Sequence, residues 1–432
     1  MKSIRNIGER IEKGLASQKV KKYAYKLVQK EKHELTAENG QFNLLRTLFD
    51  NNAMISAFKS GKNGIVTGND FSDSGINALV SSAVLSAESS VKDSCHDISP
   101  EQKPAKFRQG CLKPDYDKFF DKVKELISDI GREYPKVQIM SVIGEYDKVH
   151  SLYRNSNGVD FEEYSGSYSV MVEFSGHEGD KTTNLDYAWV SMNDLDKRFI
   201  DQGAFRQHLE NAQNQLNQIP LTGKFEGSVI FTPDCFAQFM MYVQSNYISD
   251  AVLIDGTSLW KNKKGKRVAD KSFSVSLNSH DPRMVGGERV TADGYKSVDL
   301  PVIEDGILKN FTIGLYAAKK TGKPVTLNSS SNIVIKEGTD SIDDLVKKAG
   351  RGLIVGGFSG GQPGTNGEFS GVAKNSYYIE DGKIKGAVSE VMINGNLGAM
   401  LMNIKGISKE VVVDGNMVIP YICVDGIVVS GK

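Results

Sequence analysis

The pentapeptide Gly357-Phe358-Ser359-Gly360-Gly361 fits G-x-S-x-G, the pattern of a hydrolase nucleophile elbow, and it follows a short apolar run that could be a strand. An elbow needs a strand, a strained turn and then a helix whose N-terminus supports the oxyanion hole. Here the next residues are Gln362-Pro363-Gly364-Thr365-Asn366-Gly367, which start a helix poorly. The last histidine, His280, lies upstream of Ser359, against the order Ser, Asp, His expected of such hydrolases. A glycine turn with a structural role is the better reading. The same glycines do not make a phosphate cradle, because no Lys-Ser/Thr pair and no helix follows them.

Metal chemistry has few candidates. The six histidines (His33, His96, His150, His177, His208, His280) are scattered. His33-Glu34 and His177-Glu178 begin like a zincin motif, but no second histidine follows at helical spacing. His177-Glu178-Gly179-Asp180 could hold a cation, although a solvated hairpin tip is the better reading. The four cysteines, Cys95, Cys111, Cys235 and Cys423, form no CxxC pair, which argues against a zinc ribbon or a thioredoxin-like site. The basic run Lys261 to Arg267 and the lysines Lys19, Lys21, Lys22 and Lys26 read as solvated surface.

These residues sit in a chain of 432, long enough for two or three domains. Lys plus Arg equals Asp plus Glu at 53 each, so there is no basic surplus for general nucleic-acid binding. Few cysteines and a polar N-terminus predict a cytoplasmic protein. No apolar run approaches the roughly 18 residues of a membrane span.

Residues 1 to about 33 are rich in Lys, Glu, Ala and Leu, and predict a helix. Extended segments follow from Gln41 to Ile65, then a helix capped by Asp73 or Ser74. Ser94 to Pro114 reads as a loop. DYDKFFDKVKELISDIGREY predicts an amphipathic helix, followed by strands that turn at Asn157-Gly158, and the segment from Asn193 to Gln218 predicts another long helix. The order suggests an internal repeat of helix, strands, helix. Beyond Leu221 the chain reads as mostly β. Asp-Gly turns recur there, and helices are predicted from Pro233 and from Ser341 to Gly350. The expected fold is α+β. Its N-terminal α+β domain, residues 1–220, places helices on antiparallel sheet, and residues 221–432 form a mostly antiparallel β domain with a few helices.

From about residue 135 to the end, the chain resembles the TldD/PmbA family, often labelled modulators of DNA gyrase. The resemblance is carried by GLIVGGFSGGQ, GEFSGVAKNSYYIEDGKIKGAVSEVMINGN and LGAMLMNIKGIS, and upstream by VIEDGILKNFTIGLYAAKKTG and VHSLYRNSNGVDFEEYSGSYSVMVEF. It implies that LIVGGFSGGQPG is a turn joining a helix to the C-terminal β structure. One branch of the family carries an HExxxH helix that binds a catalytic metal and resembles a peptidase. The other, PmbA/TldE-like, lacks those ligands and pairs with the first. The helix in the corresponding place here, PDCFAQFMMYVQSNYIS, contains neither His nor Glu, and Phe239, Met240 and Met241 read as core or interface filling. The active branch also uses a C-terminal cysteine as a ligand, but Cys423 falls in a later predicted strand, and the role is not transferred.

The resemblance therefore implies a non-catalytic subunit of a metallopeptidase complex acting on unfolded or modified peptides. No cofactor is expected in this chain, and zinc would belong to an HExxxH-bearing partner. Strand addition is a plausible binding mode. Asn155, Gly158, Gly360, Gly361 and Gln362 are the candidate peptide-lining residues, with structural turns as the competing explanation. Two other functions fit the residues: a peptide-binding or regulatory homodimer with no peptidase role, or a hydrolase of unrecognised chemistry using Glu178, Asp180 or Ser359.

Overall fold

The first helix is short because its apolar spacing runs out. In the computed structural model, which describes residues 3–431, α1 (Ile4–Ser17) buries Ile4, Ile7, Ile11 and Leu15 along one stripe. Lys19 then takes a positive φ of 58°, and the chain enters a long strand, β1 (Lys22–Glu38). The helix expected as far as residue 33 is therefore replaced by strand from Lys22. The lysines do not share a helical face. Lys19 and Lys21 precede β1, and Lys22, Lys26, Lys30 and Lys32 fall at even positions along it, where Lys30 meets Asp147 at 2.7 Å on the neighbouring strand and Lys32 pairs with Glu145 there. Cross-strand partners far away in sequence decide the conformation.

β1 turns at Asn39-Gly40 into β2 (Gln41–Lys59), and β3 (Lys62–Gly68) pairs only with the later part of β2. The helix α2 (Asp73–Ser89) is capped by Ser72, whose Oγ accepts from Gly75 N at 3.0 Å, one residue before the expected cap. Within the segment read as loop lies β4 (Ala105–Gly110), made a strand by parallel pairing with a later one. Next come α3 (Tyr116–Glu133), β5 (Val137–Asn155), β6 (Asp160–Glu178), β7 (Lys181–Thr182) and β8 (Asp186–Met192). The long helix expected from Asn193 to Gln218 is reduced to one 3-10 turn at Phe199–Asp201 and α4 (Phe205–Asn214). Gly203, at φ 58°, interrupts it. The N-terminal sheet has the order β3-β2-β1-β5-β6-β4, with β7 and β8 also on β6. α1 and α2 pack on the first three strands, and α3 and α4 pack around β5, β6 and β8.

The second sheet starts at β9 (Lys224–Phe231), which leads directly into α5 (Pro233–Val243) and a π turn at Gln244–Ile248, followed by α6 (Asp250–Ile254). Short strands β10 (Val275–Leu277), β11 (Leu300–Glu304) and β12 (Ile307–Leu308), α7 (Leu315–Thr321), β13 (Ile333–Ile335) and α8 (Ile342–Ala349) follow. Then come β14 (Gly352–Val355), β15 (Gly357–Gly361), β16 (Glu368–Lys374), β17 (Ser376–Glu380), β18 (Lys383–Val388), β19 (Val391–Asn396), α9 (Leu397–Met402), β20 (Ile404–Val413) and β21 (Val418–Ser430). Most pairings are antiparallel; β9–β14 and β13–β21 are parallel. The architecture is α+β, two sheets with helices against them.

Two glycine-containing segments differ from expectation. LIVGGFSGGQPG is not a turn: β14 and β15 are both strands, separated by Gly356. Its glycines, with Gly371 opposite, allow close cross-strand approach. A Cβ on Gly361 would overlap the Ser370 carbonyl oxygen, and one on Gly371 would lie 2.5 Å from the Ser359 carbonyl oxygen. Asp425-Gly426 makes no hairpin either. It forms a bulge within β21, where the register shifts between Val424 and Ile427. Asp305-Gly306 and Asp381-Gly382 do close hairpins, both residues of each at positive φ. Among the described residues, no helix is long and apolar enough to cross a membrane.

Candidate functional site

The end of β9 and the end of β14 run side by side, Phe231 opposite Val355. Thr232 N donates to the Val355 carbonyl at 3.1 Å, and Thr232 Oγ1 donates to the Gly356 carbonyl at 3.3 Å. These bonds fix the first turn of α5 beside the break between β14 and β15. Asp234 and Gln238, one turn apart on α5, consequently face a cleft of about 500 Å³. Its other wall comes from the N-terminal sheet: Asp186, Tyr187 and Trp189 of β8, with His208 of α4 below.

His208 is held at both ring nitrogens. Nδ1 lies 3.2 Å from Asp186 Oδ2, and Nε2 lies 2.8 Å from Asp234 Oδ2. Burial disfavours its charge, but the two carboxylates outweigh burial and push its pKa up to about 10. It is an imidazolium that donates from both nitrogens. Asn375, at φ 48° between β16 and β17, donates a further hydrogen bond to Asp186 Oδ2 at 2.9 Å. Asp186 and His208 belong to the first sheet's layer, and Asp234 and Asn375 to the second, so this network bridges the two. Tyr377 Oη to Asn211 Oδ1 (2.7 Å) and Tyr421 Oη to Gln207 Oε1 (2.6 Å) reinforce it. Asp414, also on the cleft, accepts from the Asn416 and Met417 N–H groups, while burial raises its pKa.

The donor set does not suit a catalytic metal. Neither His208 nitrogen has a free lone pair, since both point in opposite directions into carboxylates. On α5, Phe236, Phe239, Met240 and Val243 are buried in the core, whereas Met241 is exposed. Cys423 is fully buried in β21 among Ile230, Leu345 and Ile379, and burial pushes its thiol up to about 12. Among the described residues, no three His, Cys, Asp or Glu side chains converge to hold an ion.

The residues singled out from sequence scatter. Gly360 and Gly361 lie in β15 and Gln362 just beyond it, all exposed, on the strand that starts at the cleft. Among the described residues β15 pairs with β16 alone, which leaves its other edge without a strand partner. Asn155 and Gly158 form the β5–β6 turn instead. Asn155 Oδ1 accepts from Asn157 N and Val159 N, and its Nδ2 donates to the Ser99 carbonyl at 2.9 Å. These two shape a turn and are not among the residues that line the cleft. Ser359 lines the cleft within a strand, paired with Val372, and His208 has no nitrogen left to serve it as a base. Glu178 is tied to Lys136 at 2.6 Å, and His177 lies within hydrogen-bond reach of Ser175 and Thr182 at the β6–β7 tip. Asp186, His208 and Asp234 carried no local motif; only the cleft brings them together.

The fold and this cleft define a two-sheet α+β protein with an open strand edge beside an acidic groove between the two sheets. Residues 222–431 match the PmbA/TldA metallopeptidase C-terminal domain family. A metalloprotease PmbA homolog from Haemophilus influenzae is 26% identical over 81% of this chain and 79% of its own length. A zinc metalloprotease TldD homolog from Saccharolobus solfataricus is 25% identical over 63% of this chain and 64% of its own. The crystal structure of TldE from Thermococcus kodakarensis superposes with a TM-score of 0.84, covering 98% of this chain and 100% of that one at 20% identity. The chain belongs to the TldD/PmbA family.

Proposed function

We propose that this chain is a PmbA/TldE-like subunit of a metallopeptidase assembly, binding an extended peptide without supplying the metal. The observation that carries this reading is α5. It presents Asp234 and Gln238 to the cleft, but no histidine or glutamate, and Asp234 is committed to His208. Peptide binding follows from the neighbouring strand. An extended peptide laid along the unpaired edge of β15 would complete its backbone hydrogen bonds, and the adjacent groove would accept side chains. Asp186, Asp234 and Asp414 make the groove acidic, against Lys374 and the charge on His208. Such a groove favours peptides with neutral or basic side chains near the cleft.

The partner in this reading is an HExxxH-bearing relative. The test is cleavage of an unstructured peptide by this chain alone, by the relative alone and by their mixture, each with and without chelator, alongside the zinc content of each protein. Chelator-sensitive cleavage that rises on mixing, with zinc only in the relative, is expected. Cleavage or stoichiometric zinc in this chain alone would overturn the proposal.

A further inference from the structure

In β2, Ala53, Ile55 and Ala57 point toward α1 and α2, so Met54, Ser56 and Phe58 occupy the opposite face of the sheet. The pairings Phe58 to Asn63 and Ser56 to Ile65 put Asn63 and Ile65 of β3 on that face too. Residues 96–98 and Tyr316 of α7 stand over it and leave a cavity of about 280 Å³, which shares no lining residue with the cleft. Met54, Phe58 and Ile65 make one wall apolar. Another wall is an aromatic stack, His96 on Tyr316, with ring centroids 4.5 Å apart and planes 22° from parallel. The stack is held from behind. Tyr316 Oη donates to Asp93 Oδ2 at 2.9 Å, Asp93 Oδ1 accepts from Cys95 N at 2.9 Å, and Asp97 joins Lys22 to Lys319 of α7. Three polar groups on the lining have no hydrogen-bond partner among the described residues: the Asn63 amide, the Ser56 hydroxyl and the His96 ring nitrogens. Asn63 Oδ1 is buried as well as unpaired. Such an atom works against folding, and its presence needs a reason.

We propose that this cavity binds a planar base whose exocyclic amino group lies beside a ring-nitrogen acceptor, as in adenine. The ligand is identified by what the lining lacks. A primary amide presents an acceptor and a donor side by side. An adenine edge is its complement: the amino group donates to Asn63 Oδ1 while the neighbouring ring nitrogen accepts from Asn63 Nδ2. A flat ring uses both kinds of wall, because bases stack on aromatic side chains and bury their faces against apolar ones. A plain hydrocarbon would leave the Asn63 amide unpaired. A ring bearing a carboxylate would meet Asp97 and Asp293, which also line the cavity. The volume lies just below the roughly 300–1,000 Å³ usual for small-molecule sites, which suits a single base. Ile65, 54% exposed, marks the mouth, where a sugar would project. The proposal does not rest on the peptidase reading, since neither the cleft nor β15 takes part in it.

The experiment is methyl NMR of the full chain with labelled methionine methyl groups, titrated with adenine and, separately, with adenosine. The Met54 signal, assigned through Met54→Leu, should shift saturably, moved by the ring current of the bound base. The tighter of the two ligands tells whether the base is read free or within a nucleoside, and binding of either supports the proposal. Purine, which lacks the amino group, should bind about tenfold more weakly than adenine. Asn63→Leu should weaken adenine by at least that factor while leaving the melting temperature unchanged or higher, because it removes an unpaired buried amide. His96→Leu should also weaken binding, and it leaves the Tyr316–Asp93 clamp in place. Acetamide carries the same donor and acceptor without a ring, and toluene a ring without them; neither should shift Met54 at the concentrations that saturate adenine. The absence of a saturable Met54 shift with both adenine and adenosine overturns the proposal. So does an equal response to acetamide or toluene. Wild-type affinity in Asn63→Leu overturns it too, and so does a lowered melting temperature, which would assign the amide to the fold.

Discussion

Replacing His208 by glutamine tests whether an imidazolium joins the two sheets. The ring donates to Asp186 in the first layer and to Asp234 in the second, and its side chain is 16% exposed. Its pKa of about 10 stands above the ordinary 6.5, because the two carboxylates overcome burial. Taken whole, that gap corresponds to about 5 kcal/mol. Asp234 is 41% exposed, so solvent screening brings the expectation down to about 2–3 kcal/mol. The direction with pH is fixed. A pKa raised by folding contributes fully below about pH 6.5 and loses its contribution as pH climbs through about 10. His208→Gln removes the titrating charge, so its deficit against wild type should be largest in mildly acidic buffer and shrink steadily toward alkaline pH. Urea denaturation of both proteins over that range measures it. Asn375 remains to hold Asp186, so the variant should fold. Equal stabilities in acid, or a deficit that does not change with pH, would refute the bridging imidazolium.

Two further outcomes follow from the strand at the cleft. Gly361→Val drives a side chain into the Ser370 carbonyl and should cost about 1–3 kcal/mol in a thermal melt. By disturbing the β15 edge it should also weaken binding of a fluorescent unstructured peptide, measured by anisotropy. Ser359→Ala should leave both peptide binding and cleavage by the mixed subunits unchanged, because no base addresses this hydroxyl; a large drop in cleavage would restore the nucleophile reading.

Local signals were legible wherever neighbours in sequence sufficed. The Ser341 cap appears as a full capping box with Asp344, and Asn157-Gly158 turns where expected, with Gly158 at φ 94°. That α5 carries no histidine and no glutamate was plain from its composition. Other features were hidden for identifiable reasons. β1 looked helical because Lys, Glu and Leu are good helix formers, yet pairing with β2 on one side and β5 on the other overrode propensity. β4 showed no strand pattern because its parallel partner lies in β6. The glycines of β15 read as a turn because their actual need, close approach to β16, involves residues further along the chain.

By itself the sequence determined the α+β class, the Asn157-Gly158 and Asp381-Gly382 turns and the lack of histidine and glutamate on α5, since each depends on residue type and short spacing. Only the tertiary structure decided the site. Asp186, His208 and Asp234 come from β8, α4 and α5, with no motif linking them, and the imidazole becomes a doubly held cation only when the two sheets meet. The same holds for the open edge of β2. Its apolar residues look like core in the sequence, and only the early end of β3 leaves them facing water.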